Sequence, residues 1–212
     1  MNDIIGKLSL SGNTPYKIFL LVINIIVALC IVALFTAILI NFVEARARSH
    51  VKNEKRSVVE TGTMTLFFLL FYFLLCLRIG VISIMSMKVK CILTVFGLLL
   101  VVFGCCFNII GRFNLGANWA NQVLIYDDHK LIDKGVYRIV RHPLYASLIM
   151  MFFGASLIYR NSAAFLANLF IFIPFMTYRA KQEEEALRKE FPEYQDYQKK
   201  TGMFWPKMIR KG

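Results

Sequence analysis

The sequence predicts an all-α integral membrane protein with five transmembrane helices and a polar pocket on its cytoplasmic side. That pocket is expected between the loop before the fourth helix and the helix that continues the fifth. Three observations lead there. Hydrophobic residues make up 58% of the 212-residue chain, and mean hydropathy is +0.58, whereas soluble domains carry about 45–50% apolar residues. The apolar residues are gathered into five runs near the length a bilayer core demands of a helix, about 20 residues. The basic residues, finally, are segregated: segments 44–60, 111–142 and 177–212 hold 19 of the 25 Lys and Arg.

The first span is read over 17–43, with Asn24 and Asn41 as its only strongly polar side chains. Each suits an interhelical hydrogen bond or an interfacial position. The second span is read over 61–87, and Arg78 in its outer half can snorkel to the near interface. The link from Met87 to Lys90 is too short to cross anything, so spans two and three form a hairpin, the third running over 91–110. The fourth is read over 143–159, with Pro143 in the first helical turn, where its missing N–H costs nothing. Arg160 and Asn161 make a turn into a fifth span over 162–178, bent at Pro174. Spans four and five are short, so this hairpin sits shallow or the bilayer thins around it. Residues 179–212 form an amphipathic tail.

The basic segments face anionic lipid and cytoplasm, which places the N-terminus outside and the C-terminus in the cytoplasm. The net charge of +12 is spent at loops, and a nucleic-acid partner is excluded on that distribution. Cys30, Cys76, Cys91, Cys105 and Cys106 lie in or beside apolar runs without CxxC or histidine spacing, so they read as small hydrophobes and no metal is expected. The first run is too long for a cleavable signal peptide and lacks a small-residue cleavage site.

Two polar elements carry the chemistry. One is Asp128 to Tyr145, DHKLIDKGVYRIVRHPLY, and the other is RAKQEEE from Arg179 to Glu185. Both fall on the cytoplasmic side. Glu184 with Arg188 and Glu185 with Lys189 are i,i+4 pairs in the favoured order, so these two carboxylates read as solvated helix surface. Glu183 has its i,i+4 partner upstream at Arg179, an acid and a base on one helix face. His142 stands between Arg141 and Pro143, beside the orphan backbone donors of a helix start, which favour anions.

GVYRIVRHPLY, then a helical hairpin, then EEEALRKEFPEYQDY strongly resembles the isoprenylcysteine carboxyl methyltransferase family and its phospholipid-methyltransferase relatives. The likeness covers about 107–207, including LGANWA and the ending KTGMFWPK, and is greatest to the short prokaryotic branch with five spans. It implies S-adenosylmethionine as methyl donor and S-adenosylhomocysteine as product. The positions matching the family's cofactor contacts are Gln122, His129, Lys130, Leu131, Ile132, Tyr137, His142, Leu144, Tyr145 and, after the hairpin, Glu183. Arg179 matches the arginine that positions the substrate carboxylate, and Arg112 and Asn118 are carried over as residues lining the same mouth. Ala146 and Ser147 depart from the glycine many members have near this point, which bears on how closely span four packs on its neighbour.

The implied activity is methylation of the carboxylate of a prenylated cysteine or a similar lipid-like acceptor entering from the bilayer. The membrane would be the inner membrane of a prokaryote or the endoplasmic reticulum of a eukaryote. Methylation of a phospholipid amine is the nearest alternative. It requires a base to deprotonate an ammonium, and an arginine beside the acceptor would oppose it. A non-catalytic scaffold or transporter would place paired ionisable groups near mid-bilayer, whereas here they gather at the ends of the runs.

Overall fold

The computed structural model describes residues 14–46, 51–55, 58–83, 86–116, 123–126 and 131–207. Five apolar helices dominate it: α1 (Thr14–Arg46), α2 (Val58–Cys76), α3 (Met87–Leu115), α4 (Pro143–Ile158) and α5 (Ser162–Glu190). Among the described residues a short helix α6 (Tyr194–Lys200) and a 3₁₀ turn at Gly135–Arg138 accompany them. One antiparallel ribbon joins β1 (Val51–Lys55) to β2 (Val123–Tyr126). Three of the helices, over Thr14–Asn41, Met87–Leu115 and Ser162–Glu190, are long and apolar enough to cross a membrane; the apolar parts of α2 and α4 are shorter. At 1.5 Å per residue α4 reaches about 24 Å, less than a typical hydrocarbon core.

The helices alternate in direction. At one end of the bundle the turn between α4 and α5 is stapled to the start of α1 and the end of α2. Arg160 Nη1 donates to the Tyr16 hydroxyl at 3.2 Å, the Tyr159 hydroxyl to Asn24 Oδ1 at 2.9 Å, and Asn161 Nδ2 to the Leu74 carbonyl at 2.8 Å. The β ribbon ties the α1–α2 connection to the α3–α4 connection at the other end. Outward faces are greasy: Leu21, Leu29, Phe35 and Leu39 of α1 are each about 60% exposed. Such a surface needs hydrocarbon around it.

The second apolar helix stops at Cys76 rather than at 87. The cause is a turn in which Arg78 and Gly80 both take positive φ, 56° and 77°. Beyond it Val81 pairs with Asn161 in extended form, so an apolar run that continues in sequence is no longer helix. Arg78 therefore sits in the turn, exposed, and Met87–Lys90 is the first turn of α3, capped by Ser86. At the other end α3 runs on to Leu115, past the expected limit at 110.

The bend expected at Pro174 appears as a π-helical turn over Asn168–Phe172 immediately before it. Proline removes one N–H and crowds the carbonyl four residues back, and a widened turn relieves both. The helix then continues unbroken to Glu190. The RAKQEEE segment is thus the end of α5, rigidly aimed by the apolar part.

Packing explains how Ala146 and Ser147 are accommodated. The glycines that allow close approach lie mostly on α3. A Cβ on Gly97 would fall 2.5 Å from the Gly154 carbonyl, and one on Gly154 equally close to the Gly97 carbonyl; at Gly104 the Ser147 carbonyl lies 2.9 Å away. Ser147 is fully buried and bonds Asn108 Nδ2 at 2.6 Å. Phe67 and Phe71 of α2, Phe152 of α4 and Phe172 of α5 form an aromatic cluster with adjacent centroids 4.5–5.2 Å apart. Gly154→Leu should force α3 and α4 apart at an overpacking cost of about 1–3 kcal/mol or more. The check is the thermal midpoint of the detergent-purified protein, which should fall; an unchanged midpoint would contradict the close approach.

Candidate functional site

The site is built where the start of α4 meets the polar end of α5. Pro143 opens α4, and His142 precedes it as the N-cap. On α5 the buried face continues from Met176 through Ala180 to Glu184, one residue every fourth position. This brings Glu183 and Glu184 against residues 141–145. The segment after α6 packs on the same place: Arg141 N donates to the Gly202 carbonyl at 2.8 Å and His142 N to the Met203 carbonyl at 3.1 Å.

His142 is buried, 7% exposed, and held at both ring nitrogens. Nδ1 lies 3.4 Å from Glu183 Oε2 and Nε2 3.1 Å from Glu184 Oε1. Its ring stacks on Tyr145, centroids 5.7 Å apart and nearly parallel at 5°. The Tyr145 hydroxyl donates to the other oxygen of Glu183. Arg179 is likewise buried. Its guanidinium lies 5.8 Å from the centroid of the Tyr145 ring, and Nη1 reaches Met64 Sδ at 3.4 Å. Tyr145 is therefore the common neighbour of Arg179, Glu183 and His142.

Arg179 and Glu183 lie one turn apart on α5, but among the described residues they form no ion pair within 4 Å. The reading of Glu184 as solvated surface is overturned. Its side chain is 2% exposed, Arg188 lies 3.7 Å off, and its closer partners are Arg141, His142 and Gln198. Glu185 is exposed as expected. The i,i+4 rule cannot see partners arriving from residues 141 and 198. The signal that could have found Glu184 is the four-residue stripe from Met176 through Ala180, which carries the helix's buried face onto it.

Of the other expected residues, Tyr137 is buried in the 3₁₀ turn and its carbonyl accepts the Tyr197 hydroxyl at 2.6 Å. Burial first, then the charge of Glu183, pushes its phenol well above the usual range, so Tyr137 stays a neutral donor. Leu144 gives its carbonyl to Asn108 Nδ2 at 3.3 Å. Asn108 also accepts from Arg112 Nε at 2.9 Å, which sets the buried Arg112 beside the first turn of α4. Leu131 and Ile132 are half-buried. Asn118, Gln122, His129 and Lys130 lie outside the described residues. An open groove of about 380 Å³, lined by Arg188, Gln195, Gln198, Lys199 and Lys207, lies on the tail.

Electrostatics make His142 a pH-sensitive element. Burial works to lower its pKa, but bonds to Glu183 and Glu184 and their charges outweigh that and hold it above the ordinary value. A group raised on folding adds stability that is fully present below its unfolded value, about 6.5, and is lost as pH rises through the folded value. The thermal midpoint in detergent should accordingly fall as pH rises above that point. His142→Asn should flatten this slope; an equal slope in both proteins would assign it to other groups.

Apolar helices whose side chains face outward, closed at one end by a buried carboxylate–imidazole–phenol cluster, define a helical membrane protein with a polar site near its surface. Residues 96–189, a little under half of the chain, match the family model described as the isoprenylcysteine carboxyl methyltransferase (ICMT) family. It is 31% identical over 108 residues to the "Probable protein-S-isoprenylcysteine O-methyltransferase" of Oryza sativa subsp. japonica, covering 50% of this chain and 56% of the rice protein. To the protein-S-isoprenylcysteine O-methyltransferase of Homo sapiens it is 32% identical over 123 residues, 56% of this chain and 43% of the human one. The chain thus spans about half the length of the curated relatives it matches. Its fold is similar to a solved eukaryotic intramembrane Ras methyltransferase ICMT, with a TM-score of 0.52 at 23% identity over 72% of this chain and 54% of that one.

Proposed function

We propose that this protein is an S-adenosylmethionine-dependent O-methyltransferase that methylates the carboxylate of a prenylated cysteine or similar lipid-like acceptor at the cytoplasmic membrane interface. In this reading α1 to α5 all span the membrane, with the N-terminus outside. The observation that carries it is Arg179. A guanidinium 7% exposed is costly without an anionic partner, and its hydrogen-bond partner here is a thioether, a weak acceptor. Among the described residues no carboxylate lies within 4 Å of it. A substrate carboxylate supplies the missing anion, and the planar, always-charged guanidinium grips it in two places.

The residues also suit the methyl donor. Glu183 is 27% exposed, against 2% for Glu184, so of this pair it is the carboxylate that opens outward to meet an ammonium or ribose hydroxyls. His142 and Tyr145 fix its orientation, and Leu131, Ile132, Tyr137 and Leu144 are assigned to the pocket by family likeness. Gln122, His129 and Lys130 are assigned to the same pocket by family likeness, and Arg112 and Asn118 to its mouth. When bound, S-adenosylmethionine supplies an activated methyl on a sulfonium.

The acceptor needs little help. A terminal carboxyl has a pKa of about 3.3–3.7 and is already an anion at neutral pH, so no residue has to remove a proton. What the chain provides is alignment, worth about 7–11 kcal/mol when two reactants are held in line. Prenyl carbons gain about 0.8 kcal/mol per buried CH₂ against the apolar helix faces, while the polar cofactor stays on the water side. Glu183 and Glu184 are both engaged by His142, which leaves neither poised to deprotonate an amine. The test is a methylation assay on purified protein comparing a farnesylcysteine analogue with phosphatidylethanolamine. Transfer to the carboxylate is expected; transfer to the amine alone would reject the acceptor, and transfer to neither would reject both.

A further inference from the structure

The second-to-last turn of α5 holds two adjacent glutamates with opposite surroundings, and the proposed reaction uses only Glu183. Glu184 is the more deeply held. Its Oε1 accepts from Arg141 Nε at 2.8 Å, pairs with Arg141 Nη2 at 2.8 Å and faces His142 Nε2 at 3.1 Å. Its Oε2 accepts from Gln198 Nε2 at 2.6 Å and faces Arg188 Nη2 at 3.7 Å. These partners come from the residues before α4, from α6 and from the next turn of α5. A buried carboxylate is expensive unless several donors compensate it, and charged donors do so best.

We propose that Glu184 is a positioning residue: it fixes the His142 ring through Nε2 so that Nδ1 is presented to Glu183, and through Arg141 it holds the segment after α6 against the site. This deepens the cofactor-binding reading and rests on it. The partner of one imidazole nitrogen decides what the other offers. With Nε2–H directed at Glu184, Nδ1 meets Glu183 Oε2 at 3.4 Å, so the ring carries a proton on each nitrogen. That cation orients Glu183, whose remaining oxygen takes the Tyr145 hydroxyl. Arg141 carries the same order outward: it donates to the Thr201 carbonyl and, at 3.3 Å, to the Gln198 carbonyl. Phe204 is thereby seated edge-on to His142 at 6.1 Å.

The groups that face His142 are Glu183 and Glu184 from α5, Tyr145 from α4, and the uncharged Phe204 from the tail. Arg141 is its chain neighbour and shares Glu184 with it. Neutralising Glu184 while keeping its shape therefore isolates one charge. Of the three histidines in the chain, the His142 resonances are identified by His142→Asn in ¹⁵N-histidine spectra of the detergent-purified protein without cofactor.

Two results are expected. In the unsubstituted protein at neutral pH both His142 nitrogens carry protons, and in Glu184→Gln the titration midpoint of His142 falls by about one pH unit or more. Glu185→Gln, one position on and exposed, leaves it in place. Binding of S-adenosylhomocysteine should weaken about tenfold in Glu184→Gln. A His142 with one bare nitrogen at neutral pH overturns the proposal without any variant, and so does an unmoved midpoint in Glu184→Gln. Failure of the unsubstituted protein to bind S-adenosylhomocysteine would instead reject the cofactor reading, and the histidine titration would still decide the role of Glu184.

Discussion

Glu183→Ala is expected to weaken S-adenosylhomocysteine binding by between about 10- and 100-fold, the loss that follows removal of a charged hydrogen-bond partner. The carboxylate stands at the open side of the cluster, with one oxygen on the Tyr145 hydroxyl and the other 3.4 Å from His142 Nδ1. Truncation removes the acceptor and releases both neighbours, so the effect is on affinity first. His142→Ala should act in the same direction, because Glu183 loses the group that orients it. Calorimetry of each purified variant checks this, and affinity within twofold of the unsubstituted protein would remove Glu183 from the pocket.

Arg179→Ala should do the opposite. Nucleoside binding should be largely retained, since Arg179 meets the cluster only at the Tyr145 ring, 5.8 Å from its centroid, and bonds Met64 rather than Glu183. Turnover on a farnesylcysteine analogue should fall by about 10²–10³-fold, the scale seen when a preorganised group at the reacting centre is removed. Arg179→Lys should recover little, because an ammonium cannot grip a carboxylate in two places. Wild-type turnover in Arg179→Ala would end the clamp assignment.

Much of the helical frame was legible, because hydrocarbon imposes a simple length rule on apolar runs. The rule failed where apolar residues leave the helix without becoming polar. The run through Ile79 and Val81 kept its hydropathy while Arg78 and Gly80 turned the backbone, so the second helix was read too long. Pro174 marked the right place on α5, but the π turn lies upstream because proline perturbs the carbonyl four residues before it.

The site was legible in its parts and not in its assembly. His142, Tyr145, Arg179 and Glu183 were singled out, and the fold brings the other three to the Tyr145 side chain. Glu184 was misread because its sequence neighbour Arg188 supplied an adequate partner, whereas the partners that bury it arrive from residues 141, 142 and 198. The docking of Gly202 and Met203 on Arg141 and His142 is main-chain pairing, and side-chain patterns carry no trace of it.

The proposed function requires that segments 131–145 and 179–190 together make one nucleoside site. Titrating S-adenosylhomocysteine into the purified, unsubstituted protein tests this most directly. Saturable binding of one nucleoside per chain is expected, weakened by Glu183→Ala and retained in Arg179→Ala. The absence of any binding to the folded protein, or binding indifferent to Glu183 and His142, would contradict it.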